Sequence, residues 1–472
     1  MTHGLLIDFG STYTKLRCID LDAAAIVGSA QGPSTVTTDV TIGLQSAMAA
    51  LENEMGSLPS FAHRLASSSA AGGLRMVTVG LVPDLTAKAA RMAALGAGAK
   101  LVGTYSFELT AGDVKAITDD APDMVLLSGG TDGGNRKVIE ANATALAGSP
   151  LSCPFVVAGN RTAADDVAET LRDAGKTVIV TENVMPRHLE LNIEPARQAI
   201  RQLFIDHIVH AKGIDKARDQ LDAVLMPTPA AVLKGARLLS QGLGETAGLG
   251  PLLVVDIGGA TTDVHSICDG APTESGIVYH GLPEPLAKRT VEGDLGMRHT
   301  AAHLIDEIGI DTFAAEAEMT AEQVQGALSR TAEDVEWLPE TDAERAFDSA
   351  LARLATRLSV TRHAGTHETV YSATGPVTMQ RGKDLGEVET VIGTGGVLVH
   401  APNAGGILSA ALAGPDAPLS LRPKRARLML DRSYALFSCG LLAEVAPDAA
   451  LAFGLNALHN LEDGADGAAA AH

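Results

Sequence analysis

Cysteine, aromatic residues and positive charge are scarce in this sequence, and each shortage excludes something. The 472 residues hold four cysteines, Cys18, Cys153, Cys268 and Cys439, with no CxxC pair among them. A disulfide framework or a thiolate zinc site needs paired spacings, so the four read as free thiols in a reducing compartment. Aromatics make up 3% and tryptophan occurs once, at Trp337, so cores must close on aliphatic and small side chains. Lysine and arginine number 36 against 57 aspartates and glutamates, a formal charge of -21. A surface of that sign repels a phosphate backbone, which argues against a nucleic-acid partner. No apolar run reaches the ~18 residues of a membrane span, and the N-terminus shows no basic segment, apolar core or cleavage site. A soluble, cytoplasmic chain without a membrane partner is expected.

What is present is ample core-forming material: 46% hydrophobic residues, enough for roughly three domains at this length. The chain is organised around Leu253–Val264, LVVDIGGATTDV. An apolar run ends in Asp256, and Gly258 and Gly259 then turn the backbone ahead of Thr261 and Thr262. Glycines let main-chain N–H groups approach an anion, threonine hydroxyls add donors, and a carboxylate supplies a hard oxygen for magnesium or its water shell. A second copy lies upstream in Leu5–Leu16, LLIDFGSTYTKL, with Asp8, Gly10, Ser11, Thr12 and Thr14. A repeated strand, aspartate, glycine and hydroxyl unit predicts two similar half-domains facing one another. The arrangement resembles the actin, sugar-kinase and Hsp70 ATPase superfamily. That resemblance implies that both hairpins bind the ATP phosphates and that Asp8 and Asp256 hold the magnesium shell.

Between Met76 and Val184, short apolar runs alternate with alanine-rich helical segments. This pattern predicts a parallel α/β module inserted in the first half. Its loop Ser128–Asn135, SGGTDGGN, follows a strand and is a candidate binding loop. The nearest approach to the DxHxxG cobalamin-ligand signature, at Asp263 and His265, carries Cys268 where glycine is required. No cobalamin is therefore expected on this chain itself, and His265 reads as a structural strand residue. The stretch Phe61–Gly73 lacks the GxxxxGK[ST] spacing, so a tight surface turn is expected there.

Leu225–Leu239, LMPTPAAVLKGARLL, resembles the first connecting helix of the Hsp70-type ATPases, where small residues suit a hinge. Those enzymes place a glutamate where this chain has Met226, which implies slow hydrolysis. Val391–Val399, VIGTGGVLV, comes third in order and matches the superfamily's adenosine motif, with Gly393, Gly395 and Gly396 approaching ribose and base. A second connecting helix is expected over Ile407–Ala413. Leu421–Arg427, LRPKRAR, reads as a solvated basic patch, and Gly281–Arg298 as a charged loop lying either in solvent or near the nucleotide or a partner.

The strings LLIDFGSTYTKL, LLSGGTDGGN, VTENVMP, PTPAAV, VVDIGGATTDVHS and GLPEPLAKRTVEGDLGMR together resemble the methylaspartate (glutamate) mutase accessory family. Its members are called MutL and are unrelated to mismatch repair. The resemblance implies an ATP-driven, chaperone-like reactivating factor for the subunits of an adenosylcobalamin-dependent mutase, with ATP and Mg2+ as cofactors. A small-molecule kinase and a nucleotide-gated assembly factor are the alternatives. The expected fold class is α/β, a two-lobed actin-like ATPase with ribonuclease H-like duplicated lobes. Its expected parts are the first stretch of lobe I (1–75), the inserted module (76–190), the rest of lobe I with the connecting helix (191–245), lobe II (246–460) and a flexible tail (461–472).

Overall fold

The computed structural model describes residues 1–10, 13–35, 39–69, 73–208, 221–372 and 375–461. The chain divides into two compact units, the first comprising 1–235, 281–285 and 436–456 and the second the remainder. In the first unit, apolar runs form β1 (His3–Phe9), β2 (Tyr13–Asp20), β3 (Ala25–Pro33) and β4 (Phe61–Ser68). Along β2 the inward positions Thr14, Leu16 and Cys18 alternate with less buried neighbours, the period of a sheet with one covered face. The covering helix, Val40–Met55, starts at Asp39, whose carboxylate accepts from the Thr41 amide at 3.0 Å, and stops at Gly56 with φ of 78°. Asp39→Ala is expected to cost about 1 kcal/mol, the usual worth of an N-cap, as a lowered urea midpoint.

The expected surface turn over Phe61–Gly73 is instead largely strand β4, which runs parallel to β1. Its small polar residues mimic turn composition, yet Ser67 and Ser68 are buried in the sheet.

The next five strands are β5 (Leu74–Gly80), β6 (Ala99–Ser106), β7 (Met124–Leu127), β8 (Phe155–Val157) and β9 (Val178–Val180). They form one parallel sheet of order β6-β5-β7-β8-β9, the order of flavodoxin-like folds. One face packs a core of Val77, Val125, Leu127, Phe155, Val157 and Val167, while Leu74, Met76, Met124, Leu126 and Val156 on the other join the cluster that holds Leu5, Ile7 and Phe9 of the first sheet. The chain then returns to the first sheet through β10 (Ala223–Pro227), giving the order β3-β2-β1-β4-β10.

The second unit repeats that plan. Its strands are β11 (Leu252–Ile257), β12 (Thr262–Ile267), β13 (Val278–His280), β14 (Ala287–Glu292), β15 (Thr366–Ser372), β16 (Gly375–Arg381), β17 (Thr390–Thr394), β18 (Arg427–Asp431) and β19 (Leu458–Asn460). The main sheet runs β14-β12-β11-β17-β18-β19, while β13, β16 and β15 form a small separate sheet. In both main sheets an antiparallel three-strand meander is followed by two strands parallel to the first. The fold is therefore α/β, with the duplicated ribonuclease H-like sheets of the actin-like ATPases and a parallel module inserted in the first half. The Asp342–His363 helix covers the second sheet. It is capped by Thr341 and Glu344, and Phe347 meets Phe313 edge to face at 5.7 Å.

Two further expectations change. The Ile407–Ala413 stretch forms a one-turn helix and a 3-10 turn packed within the second unit's core. The helix that crosses Thr228–Gln241 is Ala435–Leu442. A β-carbon on Gly235 would strike the Leu436 carbonyl, and one on Gly440 the Ala231 carbonyl. The helix therefore follows β18 as Thr228–Gln241 follows β10. The basic LRPKRAR stretch is also less solvated than its composition predicts, because Arg422 is buried and held by both oxygens of Asp416 at 2.8 and 2.9 Å.

Candidate functional site

Each main sheet carries a tight hairpin between its first two strands, and the two close identically. In the first, Phe9 pairs with Thr14, and the Gly10 amide donates to the Tyr13 carbonyl at 3.0 Å. In the second, Ile257 pairs with Thr262, and the Gly258 amide donates to the Thr261 carbonyl at 2.9 Å. A β-carbon at Gly10 would sit 2.6 Å from the Tyr13 oxygen, too close for any side chain, and one at Gly258 would sit 3.0 Å from the Thr261 oxygen, a tight contact. Ser11 and Thr12, expected as phosphate donors, lie outside the described residues.

The aspartate of each hairpin stands beside a hydroxyl residue on the neighbouring parallel strand. Asp8 aligns with Ser67 of β4, and Asp256 with Thr394 of β17. In the first unit this register builds a small polar constellation at the strands' carboxyl ends. Thr228 donates to Asp8 Oδ1 at 2.6 Å, the Ser67 hydroxyl approaches the same oxygen at 3.4 Å, and Thr228 and Ser67 are 3.2 Å apart. Burial pushes the Asp8 carboxyl above the usual aspartate range, and the Thr228 hydrogen bond, Lys15, Ser67 and Arg17 only partly offset it. Its other oxygen faces the turn, 3.9 Å from where a Gly10 β-carbon would lie. A buried carboxylate with one free-facing oxygen suits a hydrated divalent cation, whose charge would relieve the burial cost. Sequence reasoning missed Ser67 altogether and gave Thr228 only a hinge role. The signal was that β4 had to lie next to β1.

In the second unit Asp256 is half-buried at the end of β11, and the turn residues Gly259 and Ala260 are exposed. The carbonyls of the turn are occupied: Gly258 O accepts from Met297 N at 3.1 Å, and Gly259 O from the amides of Arg298 and His299 at 2.8 and 3.0 Å. Among the described residues, the amides of Gly259 and Ala260 donate to no protein acceptor. The turn therefore presents donors outward, as an anion cradle requires. Thr262 does not contribute its hydroxyl. It is fully buried and donates to the Leu295 carbonyl at 2.6 Å, whereas Thr261 stays half-buried beside Asp263 at 3.4 Å.

The three glycines of VIGTGGVLV divide by role. Gly393 lies under Leu408 and Leu398 with no room for a side chain. Gly395 has φ of 99° and rests against the Ile257 backbone. Only Gly396, at the start of the Gly396–His400 turn, has space: a β-carbon there would lie 3.7 Å from the Tyr434 hydroxyl.

The SGGTDGGN loop does sit at the carboxyl edge of the parallel sheet. Asn160 accepts from Gly133 N and donates to the Gly134 and Asn135 carbonyls, and Asn183 ties Gly130 to Asp132. Its shape is thus set by the protein. Beside it opens a cleft of about 900 Å³ bordered by Asp132, Arg161, Asp165, Glu182 and Asn192. His265, as expected, is a fully buried strand residue, and burial holds its imidazole neutral. Among the described residues no helix is long and apolar enough to cross a membrane.

Known proteins offer three comparisons. The family model described as MutL protein matches residues 4–458. Protein MutL of Clostridium tetanomorphum is 46% identical over 448 residues, which cover 95% of this chain and 97% of that one. Among solved structures, xylulose kinase from Lactobacillus acidophilus shares 10% identity at a TM-score of 0.33, covering 98% of this chain and 93% of that one. The ethanolamine utilization protein EutJ from Carboxydothermus hydrogenoformans shares 12% at 0.27, covering 96% and 90%. At those TM-scores the structural likeness decides nothing, and the fold rests on the strand orders given above.

Proposed function

This chain belongs to the MutL protein family, and from that membership we propose that it is an ATP-dependent helper of an adenosylcobalamin-dependent carbon-skeleton mutase of the glutamate (methylaspartate) type. The observation that carries the nucleotide part is the pair of hairpins with the same closure, the same aspartate and the same neighbouring hydroxyl. In this reading Gly10, Ser11, Thr12, Gly258, Gly259 and Thr261 cradle the triphosphate, and Thr262 supports the turn from beneath. Asp8 and Asp256 hold water on one magnesium ion, which neutralises phosphate charge when bound. Gly396 faces the adenosine, while Gly393 and Gly395 let the strand pack closely enough to present it. The chain works in the cytoplasm, binds mutase subunits rather than nucleic acid, and itself carries no cobalamin.

Hydrolysis is slow in this account. Where Hsp70-type enzymes have a water-orienting glutamate, Met226 aligns with Ser67 in the sheet and is almost fully buried. Its thioether neither accepts a proton nor orients a water strongly. Met226 also favours a second reading, a nucleotide-gated assembly factor that binds ATP without releasing phosphate.

The test combines the purified chain, ATP, magnesium, inactivated mutase and fresh adenosylcobalamin. Recovery of mutase activity that requires ATP and both aspartates is expected. Full recovery without nucleotide, or none with it, contradicts the helper role, and phosphate transfer stimulated by a small acceptor would point to a kinase instead.

A further inference from the structure

The segment from Gly281 to Arg298, expected as a charged loop, is in its middle strand β14 paired with β12, and at its end residues 295–299 lie directly on the second hairpin. The amides of Met297, Arg298 and His299 occupy the carbonyls of Gly258 and Gly259, and Leu295 O takes the Thr262 hydroxyl. Gly296 packs so close to Ala260 that a β-carbon would strike its backbone. A peptide turn has two sides. With its carbonyls engaged by this segment, its amides are held pointing the other way.

What anchors this end of the segment is the Arg298 side chain, whose guanidinium is turned to the Asp342–His363 helix. Its guanidinium grips both oxygens of Asp348, on the Asp342–His363 helix, at 3.0 and 2.6 Å. It also donates to the Trp337 and Met297 carbonyls at 3.2 and 3.0 Å and lies 5.1 Å from the centre of the Trp337 ring. Both charged side chains are about nine-tenths buried, at 11% and 8% exposure. A bidentate, buried pair of this kind fixes direction as well as distance. Trp337 is the only tryptophan in the sequence.

We infer that Arg298 is a positioning residue for the phosphates of the bound nucleotide, acting through the backbone of residues 297–299 on the second hairpin, with Trp337 as its built-in optical reporter. The inference rests on the nucleotide reading above and deepens it. Phosphate contact at the Gly259 and Ala260 amides pulls on the turn, the turn pulls on the 297–299 amides, and the guanidinium shifts against the indole. A cation over an indole face perturbs its emission, so the event is visible without a label.

The experiment titrates the full chain with Mg-ATP and with adenosine, following tryptophan emission and, separately, binding heat. For the natural sequence a saturable emission change is expected for Mg-ATP, at the midpoint seen by calorimetry, and none for adenosine. Arg298→Ala is expected to weaken Mg-ATP binding about tenfold or more, the scale of a lost charged hydrogen bond, and to leave adenosine binding unchanged. Arg298→Lys recovers part of the loss. Because a lone Asp348 carboxylate would be left buried, the double variant Arg298→Met with Asp348→Asn serves as the control that keeps the core neutral. It is expected to fold and to show the same selective loss. If natural and variant chains bind Mg-ATP equally, or if the emission does not change on saturation, the positioning role is overturned while the nucleotide reading stands. If the natural chain gives no binding heat with Mg-ATP, both fall together.

Discussion

Asp8→Asn is expected to weaken magnesium-dependent ATP binding roughly 100-fold or more while leaving the fold at least as resistant to heat. Asp8 is buried, and burial outweighs the hydrogen bonds from Thr228 and Ser67 that favour its charged form. An unfolded aspartate titrates near 3.9, and the folded carboxyl lies above that. The folded chain therefore holds the Asp8 proton more tightly than the unfolded chain does. Any stability linked to this group is fully present below the unfolded value and is lost as pH rises through the folded one. Above the folded value the native protein bears the cost of a buried charge that Thr228, Lys15, Ser67 and Arg17 offset only in part. Asp8→Asn removes that cost and keeps an oxygen to accept from Thr228, so its Tm at pH 7 should equal or exceed that of the natural chain. The gap should close on acidification below about pH 3.9, where both side chains are neutral. Binding should move the opposite way, with Mg-ATP affinity down roughly 100-fold or more for loss of a group that holds the metal's water. Calorimetry and thermal melts on the same samples check both halves. A less stable variant that still binds Mg-ATP would mean that Asp8 is structural.

Gly395→Ala is expected to be among the most damaging single changes to the fold. The residue has φ of 99°, and a β-carbon there would drive into the Ile257 carbonyl of β11, the strand that carries Asp256. Backbone strain and overpacking add, for a loss of about 3 kcal/mol or more in urea unfolding. Gly396→Ala, one residue on, meets only the Tyr434 hydroxyl at 3.7 Å and should leave stability within about 1 kcal/mol. Its effect, if the adenosine faces it, is on nucleotide affinity alone. Equal melting of the two variants would contradict the division of roles drawn for this motif.

These two sites also show what a reader of the sequence can and cannot see. The places of Asp8 and Asp256 at the ends of two matching hairpins were legible because an apolar run, an aspartate and a glycine turn repeat with nearly the same spacing. The parallel module was legible because its short runs Met124–Leu127 and Phe155–Val157 are buried on both faces and so read as unbroken apolar stretches. Ser67 was not, since SSSAAGG has the composition of a turn, and only its pairing with β1 makes part of it a strand. Ala435–Leu442 was hidden for a related reason. Its eight residues are apolar on nearly every side, so they show no helical stripe, and its role comes from Gly440 meeting Ala231 across a distance no periodicity encodes. The roles of Thr262 and Gly395 were invisible too, because the direction of a hydroxyl and the sign of φ are properties of packing.

The central claim is that two carboxylates far apart in sequence serve one metal-bound triphosphate. The measurement that bears on it most directly is a crystal structure of the full chain with magnesium and a non-hydrolysable ATP analogue. The account predicts one metal ion whose waters are held by both Asp8 and Asp256, with phosphate oxygens on the amides of Gly259 and Ala260 and on the first hairpin's turn. A nucleotide that touches one hairpin only, or a metal bound by neither aspartate, would contradict it.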